Sequence, residues 1–73
     1  MMLDKGATYQ VNGFASACPR GYMQKLMSMG FIPGAQFTIR KVAPLGDPYQ
    51  IEIQGYSVSM RKSEVAFVEV ETI

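Results

Sequence analysis

Few side chains in this 73-residue sequence could perform covalent or metal chemistry. It contains one cysteine and no histidine, so neither a Ser/His/Asp nor a Cys/His nucleophilic arrangement can be assembled from the usual parts. One cysteine without histidine also cannot supply a zinc site or a firmly held ferrous site in a single chain. We therefore predict no catalytic residue, no metal ligand and no cofactor, and a protein that is not an enzyme.

Cys18 is the one side chain that could still be reactive. It lies next to Pro19-Arg20, at the expected start of a helix. The Arg20 guanidinium and the helix N-terminus would stabilise a thiolate there. The alternative, which we favour, is a small apolar side chain that fills a loop, as free cysteines commonly do. Pro19 suits the first helical position, and Ser16 or Cys18 is close enough to contribute to the N-terminal cap.

The helix itself is predicted from the periodicity of residues 18–34. Tyr22, Leu26 and Met29 recur at i, i+4 and i+7, which is typical of an amphipathic helix. Leu26 is therefore expected in the core, in a structural role. Because a packed helix buries only one stripe, we expect flanking side chains to be available for partner binding: Arg20, Met23, Gln24, Lys25 and Met27.

The end of the helix is predicted from glycine and proline. Gly30 suits the left-handed residue of a Schellman motif, in which Phe31 would meet Leu26. Pro33 and Gly34 then suit the two central positions of a type II turn. We therefore assign Gly30, Pro33 and Gly34 structural roles, because together they stop the helix and turn the chain into a strand.

The rest of the chain alternates apolar and polar residues, which predicts five short strands. Gly13 interrupts the first strand, as a bulge would, and Gln54-Gly55 suits a tight hairpin turn. Glu69 and Glu71 alternate with inward valines, so these paired carboxylates are expected on a solvated face. The connections are too short for parallel crossovers. We predict one domain over residues 1–73, a partly open antiparallel barrel with one short α-helix after the first strand.

Two further regions could contact other molecules. Residues 43–48 hold two prolines and a glycine, which predicts an ordered loop of restricted conformation. Tyr56, Phe67 and the open strand edges offer surface for weak self-association. The alternative is a monomer with solvent-exposed edges.

Composition narrows the class of partner. The net charge is only +1, whereas nucleic-acid binders usually have a larger or more clustered basic excess. The pairs Arg40-Lys41 and Arg61-Lys62 keep a nucleic-acid-binding barrel open as an alternative, beside a metal-responsive module. No apolar run approaches a membrane span and no signal peptide is evident, so we expect an intracellular protein without direct membrane insertion.

Two motifs carry a resemblance to a known family. Residues 26–34 read Leu-x-x-x-Gly-x-x-Pro-Gly, and residues 43–48 read Ala-Pro-Leu-Gly-Asp-Pro. In this order they resemble the FeoA family, small cytosolic proteins of bacterial ferrous-iron uptake, and the similarity extends over essentially the whole chain. Cys18 and Tyr49 depart from the family's pattern.

The resemblance implies an SH3-like barrel and a function. It implies an accessory, regulatory module that binds the cytosolic part of the FeoB membrane transporter, so the protein would be cytoplasmic and recruited to the inner face of the cell membrane. No catalytic residues come with the family. Besides the helix, the second motif is a candidate for the binding site: Pro44, Leu45, Gly46, Asp47 and Pro48.

Overall fold

The computed structural model of the protein describes residues 3–73. Its elements in chain order are β1 Thr8–Phe14, α1 Arg20–Ser28, β2 Gln36–Val42, β3 Tyr49–Ile53, β4 Tyr56–Met60, α2 Lys62–Val65 and β5 Val68–Thr72. The strands form one antiparallel sheet in the order β4-β3-β2-β1-β5. This confirms the predicted mainly-β fold with a helix after the first strand. The small barrel stays open between two edge strands, β4 and β5.

Two register shifts bend the sheet. The β1–β5 pairing shifts between Val11 and Gly13, which confirms the predicted interruption at Gly13. A second shift lies between Ile39 and Lys41 in the β2–β3 pairing. Apolar and polar side chains alternate without a break through Ile39. The sequence of β2 also contains no glycine or proline, the residues that usually mark a bulge.

The core lies between the curved sheet and α1. Phe37 lies at its centre, with its ring centroid 5.5 Å from that of Phe31 and 5.8 Å from that of Tyr9. Leu26 is completely buried, as predicted. Tyr49 is also buried, and its hydroxyl accepts a hydrogen bond from the Leu3 backbone N–H at 3.3 Å. The polar end of this buried side chain is therefore satisfied.

A turn separates α2 from the last strand. Residues 62–65 form the short helix α2, and the Phe67 N–H donates to the Glu64 carbonyl at 3.2 Å. This bond keeps residues 66–67 in a turn, so β5 begins at Val68. Phe67 is half-buried and packs edge-on against Tyr22, with 5.8 Å between the ring centroids. Phe67 therefore offers only part of its ring as apolar surface, because Tyr22 of α1 packs against it.

Candidate functional site

The C-terminal end of α1 has the predicted Schellman geometry. The Phe31 N–H donates to the Leu26 carbonyl at 3.1 Å, and the Gly30 N–H donates to the Met27 carbonyl at 3.0 Å. Gly30 has a φ of 103°, a conformation that strains any residue with a Cβ. These bonds satisfy carbonyls that a helix end would otherwise leave without partners. The structural role predicted for Gly30 is therefore explained by its backbone.

The following turn returns the chain to the sheet. The Ala35 N–H donates to the Ile32 carbonyl at 2.9 Å, and Gly34 has a φ of 91°, so residues 32–35 form the predicted turn. Val11 then bonds to the segment twice: its carbonyl accepts from the Gly34 N–H at 2.7 Å, and its N–H donates to the Ala35 carbonyl at 2.8 Å. The C-terminal end of the segment that carries α1 between β1 and β2 is thus bonded to β1.

The start of α1 differs from the prediction. Pro19 is the N-cap residue, with a φ of −59° and a ψ of 140°, so the helix begins at Arg20. No side chain caps it, and the expected role of Ser16 or Cys18 as a cap is wrong. The Cys18 thiol is buried and donates to the Pro19 carbonyl at 3.6 Å. This placement agrees with the favoured interpretation of Cys18 as an apolar filler of the loop.

Glu64 connects the two helices. Its carboxylate accepts hydrogen bonds from the Tyr22 hydroxyl and from the Arg61 backbone N–H, the latter at 2.9 Å. The Tyr22 hydroxyl, followed by the Arg61 N–H, holds the pKa of Glu64 below its usual value. Burial, followed by the Glu64 carboxylate, raises the pKa of Tyr22. The hydrogen bond between this pair therefore links α1 to α2. Sequence reasoning missed it, because 42 residues separate the two partners.

The structure divides the five helix residues predicted to bind a partner. Arg20, Gln24 and Met27 are exposed, and their i, i+4, i+7 spacing places them along one line of the helix. Lys25 is exposed beside this line, with its Nζ 5.5 Å from the centroid of the Tyr22 ring. Met23 is half-buried and packs against the core. We call the first four residues the outer face of α1.

The loop of residues 43–48 is ordered by bonds to its neighbours. The Gly46 N–H donates to the Ala43 carbonyl at 2.7 Å. The Asp47 carboxylate accepts from the Lys62 backbone N–H at 2.8 Å, which ties the loop to the start of α2. Leu45 projects into solvent with 95% of its surface exposed. An apolar side chain held out by an anchored loop is available for a partner, so the loop stays a candidate site.

A groove of about 430 Å³ lies between the end of α1 and β4. Its lining contains no charged residue: Met27, Ser28, Met29, Gly30, Gln54, Tyr56, Ser57 and Val58. Tyr56 is 68% exposed at its rim. No sequence pattern predicts this groove, because it forms only when the Gly30 turn lies against the Gln54 hairpin.

A carboxylate lies close to one arginine of each predicted basic pair. Arg40 bonds to Glu52 at 2.6 Å, and an Arg61 guanidinium nitrogen lies 3.9 Å from an Asp47 oxygen. Both predicted basic pairs are thus partly neutralised by a carboxylate.

Within residues 3–73, no three Cys, Asp or Glu side chains lie close enough together to hold a metal ion. No helix in that range has the length and apolar character to cross a membrane.

Comparison with known proteins identifies the family. The model of the FeoA domain matches residues 1–72. This protein belongs to the FeoA family. A FeoA-like protein from Clostridium acetobutylicum superposes with a TM-score of 0.85 at 32% identity, covering 97% of this chain and 80% of that one. The predicted family membership is therefore confirmed.

Two further FeoA relatives bear on fold and context. The FeoA of Stenotrophomonas maltophilia, a zinc complex described as an SH3 domain protein, has a TM-score of 0.82 at 19% identity, over 96% of this chain and 85% of that one. It supports the SH3-like fold. A fusion of Fe(2+) transport protein A with the Fe(2+) transporter FeoB in Porphyromonas gingivalis is 38% identical over 52 residues. The match covers 71% of this chain and 6% of the fusion protein.

Proposed function

We propose that this FeoA domain is a non-enzymatic accessory module of ferrous-iron uptake that binds the cytosolic part of a FeoB-type transporter. The observation that carries the proposal is the Porphyromonas gingivalis protein, in which a relative of this chain is fused to such a transporter. A fusion keeps two modules at high effective concentration, so it favours pairs that work in contact. The module would act in the cytoplasm, at the inner face of the membrane.

The outer face of α1 is the site we propose for this contact. It combines two cations, an amide and an apolar thioether on a helix that the Tyr22–Glu64 hydrogen bond links to α2. A thioether adapts to irregular apolar surfaces, and the cations would select an acidic rim on the partner. Met23 would add only the exposed part of its side chain to this contact, since the core covers the rest. Leu45 in the anchored loop is the competing site.

The test is a titration of the purified chain against the transporter's cytosolic GTP-binding domain, with and without nucleotide. We expect the double variant Arg20→Glu, Lys25→Glu to weaken binding at least tenfold, because each reversal removes an attraction and adds a repulsion. Lys5→Glu, Lys41→Glu is the matched control, since both lysines are exposed outside α1. It should bind as the wild type does.

The outcomes separate the two sites from each other and from the hypothesis itself. If the α1 variant melts normally and still binds fully while Leu45→Ser does not bind, the site lies in the loop and α1 is scaffold only. If the wild-type chain binds the transporter domain in neither nucleotide state, the proposed function is wrong.

A further inference from the structure

The two edges of the sheet differ in how they are protected against pairing. Exposed edge strands are usually guarded by charges, prolines or bulges. β5 carries Glu69 and Glu71, and its pairing with β1 contains a register shift. β4 has the sequence Tyr-Ser-Val-Ser-Met, with no charge, no proline and an unbroken register against β3. Nothing in β4 itself prevents another strand from pairing with it.

The hairpin determines which backbone groups face this edge. The two-residue turn at Gln54-Gly55 makes Ile53 and Tyr56 a hydrogen-bonded pair. Along the rest of the β3–β4 register, non-hydrogen-bonded and hydrogen-bonded pairs then alternate. Tyr56, Val58 and Met60 therefore bond to β3. The N–H and C=O groups of Ser57 and Ser59 face outward, which gives the edge two donors and two acceptors.

The sequence of β4 is compatible with a copy of itself. In a two-fold antiparallel pair centred on Val58, Ser57 lies opposite Ser59 of the second copy, and the outward groups can form four hydrogen bonds. The same operation on β5, centred on Val70, places Glu69 opposite Glu71 of the copy. Like charges directly opposite each other destabilise strand pairs. Of the two edges, only β4 is thus self-complementary.

The side chains beside the edge complete an apolar contact. Val58 would meet Val58 of the second copy in a non-hydrogen-bonded pair, in which side chains approach most closely. The uncharged groove lies on this side of the strand, and Met27 and Tyr56 at its rim are exposed. We propose that β4 is a homodimerisation edge, occupied by β4 of a second copy lying along this groove.

Sedimentation equilibrium over micromolar to millimolar concentrations tests the proposal. A five-residue edge forms an interface at the small end of the range, so the dimer should be weak. The average mass of the wild type should rise from 8.1 kDa toward twice that value. Ser57→Glu, Ser59→Glu reproduces the charge pattern of β5 and should remain monomeric. Ser16→Glu, Gln36→Glu adds the same charge at exposed positions outside β4 and should dimerise.

A second variant removes only the hydrogen bonding. Ser59→Pro deletes an N–H that faces away from β3, a position at which an edge strand tolerates proline, so the variant should fold but not dimerise. In the wild type, concentration-dependent amide shifts should cluster in β4. A wild type that stays monomeric at millimolar concentration refutes the proposal, whatever else covers the edge. Equal dimerisation of the Glu double variant, or shifts confined to β5, would refute it as well.

Discussion

Replacing Gly30 with alanine tests the explanation given for the end of α1. At a φ of 103° a side chain costs at least ~1–2 kcal/mol in backbone strain. A Cβ at this position would also lie 2.8 Å from Cγ of Gln54, closer than van der Waals contact allows. Because the exposed Gln54 can partly move away, we expect this clash to add about 1–2 kcal/mol, at the low end of overpacking costs.

Gly34 provides the matched control. Its φ of 91° imposes a similar strain, but a Cβ there would have no atom within 4 Å. In a domain of this size 1 kcal/mol shifts the melting temperature by about 4–8 °C. Gly30→Ala should therefore melt roughly 5–15 °C below Gly34→Ala, as measured by calorimetry or circular dichroism.

A double-mutant cycle isolates the clash. Gln54→Ala removes the Cγ but leaves its Cβ at 3.6 Å from the new atom, an ordinary contact. In that background Gly30→Ala should cost no more than Gly34→Ala does, because only backbone strain remains. If the two glycine variants melt at the same temperature, or if Gln54→Ala leaves the difference intact, the steric part of the reasoning is wrong.

Three other substitutions test the packing and the electrostatics. Leu26→Ala, at a fully buried site, should cost ~2–5 kcal/mol and lower iron uptake together with the melting temperature; normal uptake by an unstable variant would contradict this. Tyr22→Phe should cost about 1 kcal/mol at neutral pH, because a hydrogen bond to a charged group is lost at a partly exposed site. Since the folded pKa of Glu64 is lowered from 4.5, that stability is present above pH 4.5 and lost as the pH falls through the folded value. Because the pKa of Tyr22 is raised, the same stabilisation is lost again as the pH rises above 10. Urea titrations should therefore show the free energies of unfolding of the wild type and of Tyr22→Phe becoming equal at acid and at alkaline pH. Asp47→Ala should leave the melting temperature nearly unchanged but speed amide exchange at Lys62, whose N–H loses its acceptor; unchanged exchange would contradict the anchoring of the loop.

Local patterns were enough to predict most elements of the fold. The stop signal at Gly30 and the turns at Gly34 and Gln54 each depend on the conformational preferences of a few adjacent residues, and their geometry follows from them. The bulge near Lys41 was missed, because a register shift arises from the pairing of two strands rather than from one. The Pro19 boundary differed by one residue, since proline suits both the cap and the first helical position.

The candidate site was less predictable than the fold. The spacing within α1 identified which residues flank the buried stripe, but it could not separate Met23 from Met27, whose exposure depends on what packs beside them. The groove and the bond between Tyr22 and Glu64 join residues far apart in sequence. Their detection requires the relative positions of the elements, which a single sequence without known contacts does not contain.

The helical excursion between β1 and β2 is closed by backbone bonds at both ends. The Ala15 N–H donates to the Phe67 carbonyl at 2.8 Å, and Val11 bonds to both Gly34 and Ala35. These backbone hydrogen bonds to the sheet therefore offset the entropic cost of closing the segment, and they do not depend on the side chains that α1 presents to solvent. Exchanging the outward side chains of residues 15–34 would therefore leave both closures intact. If α1 is the contact site proposed above, transplanting this segment between FeoA domains should transfer partner preference along with the helix.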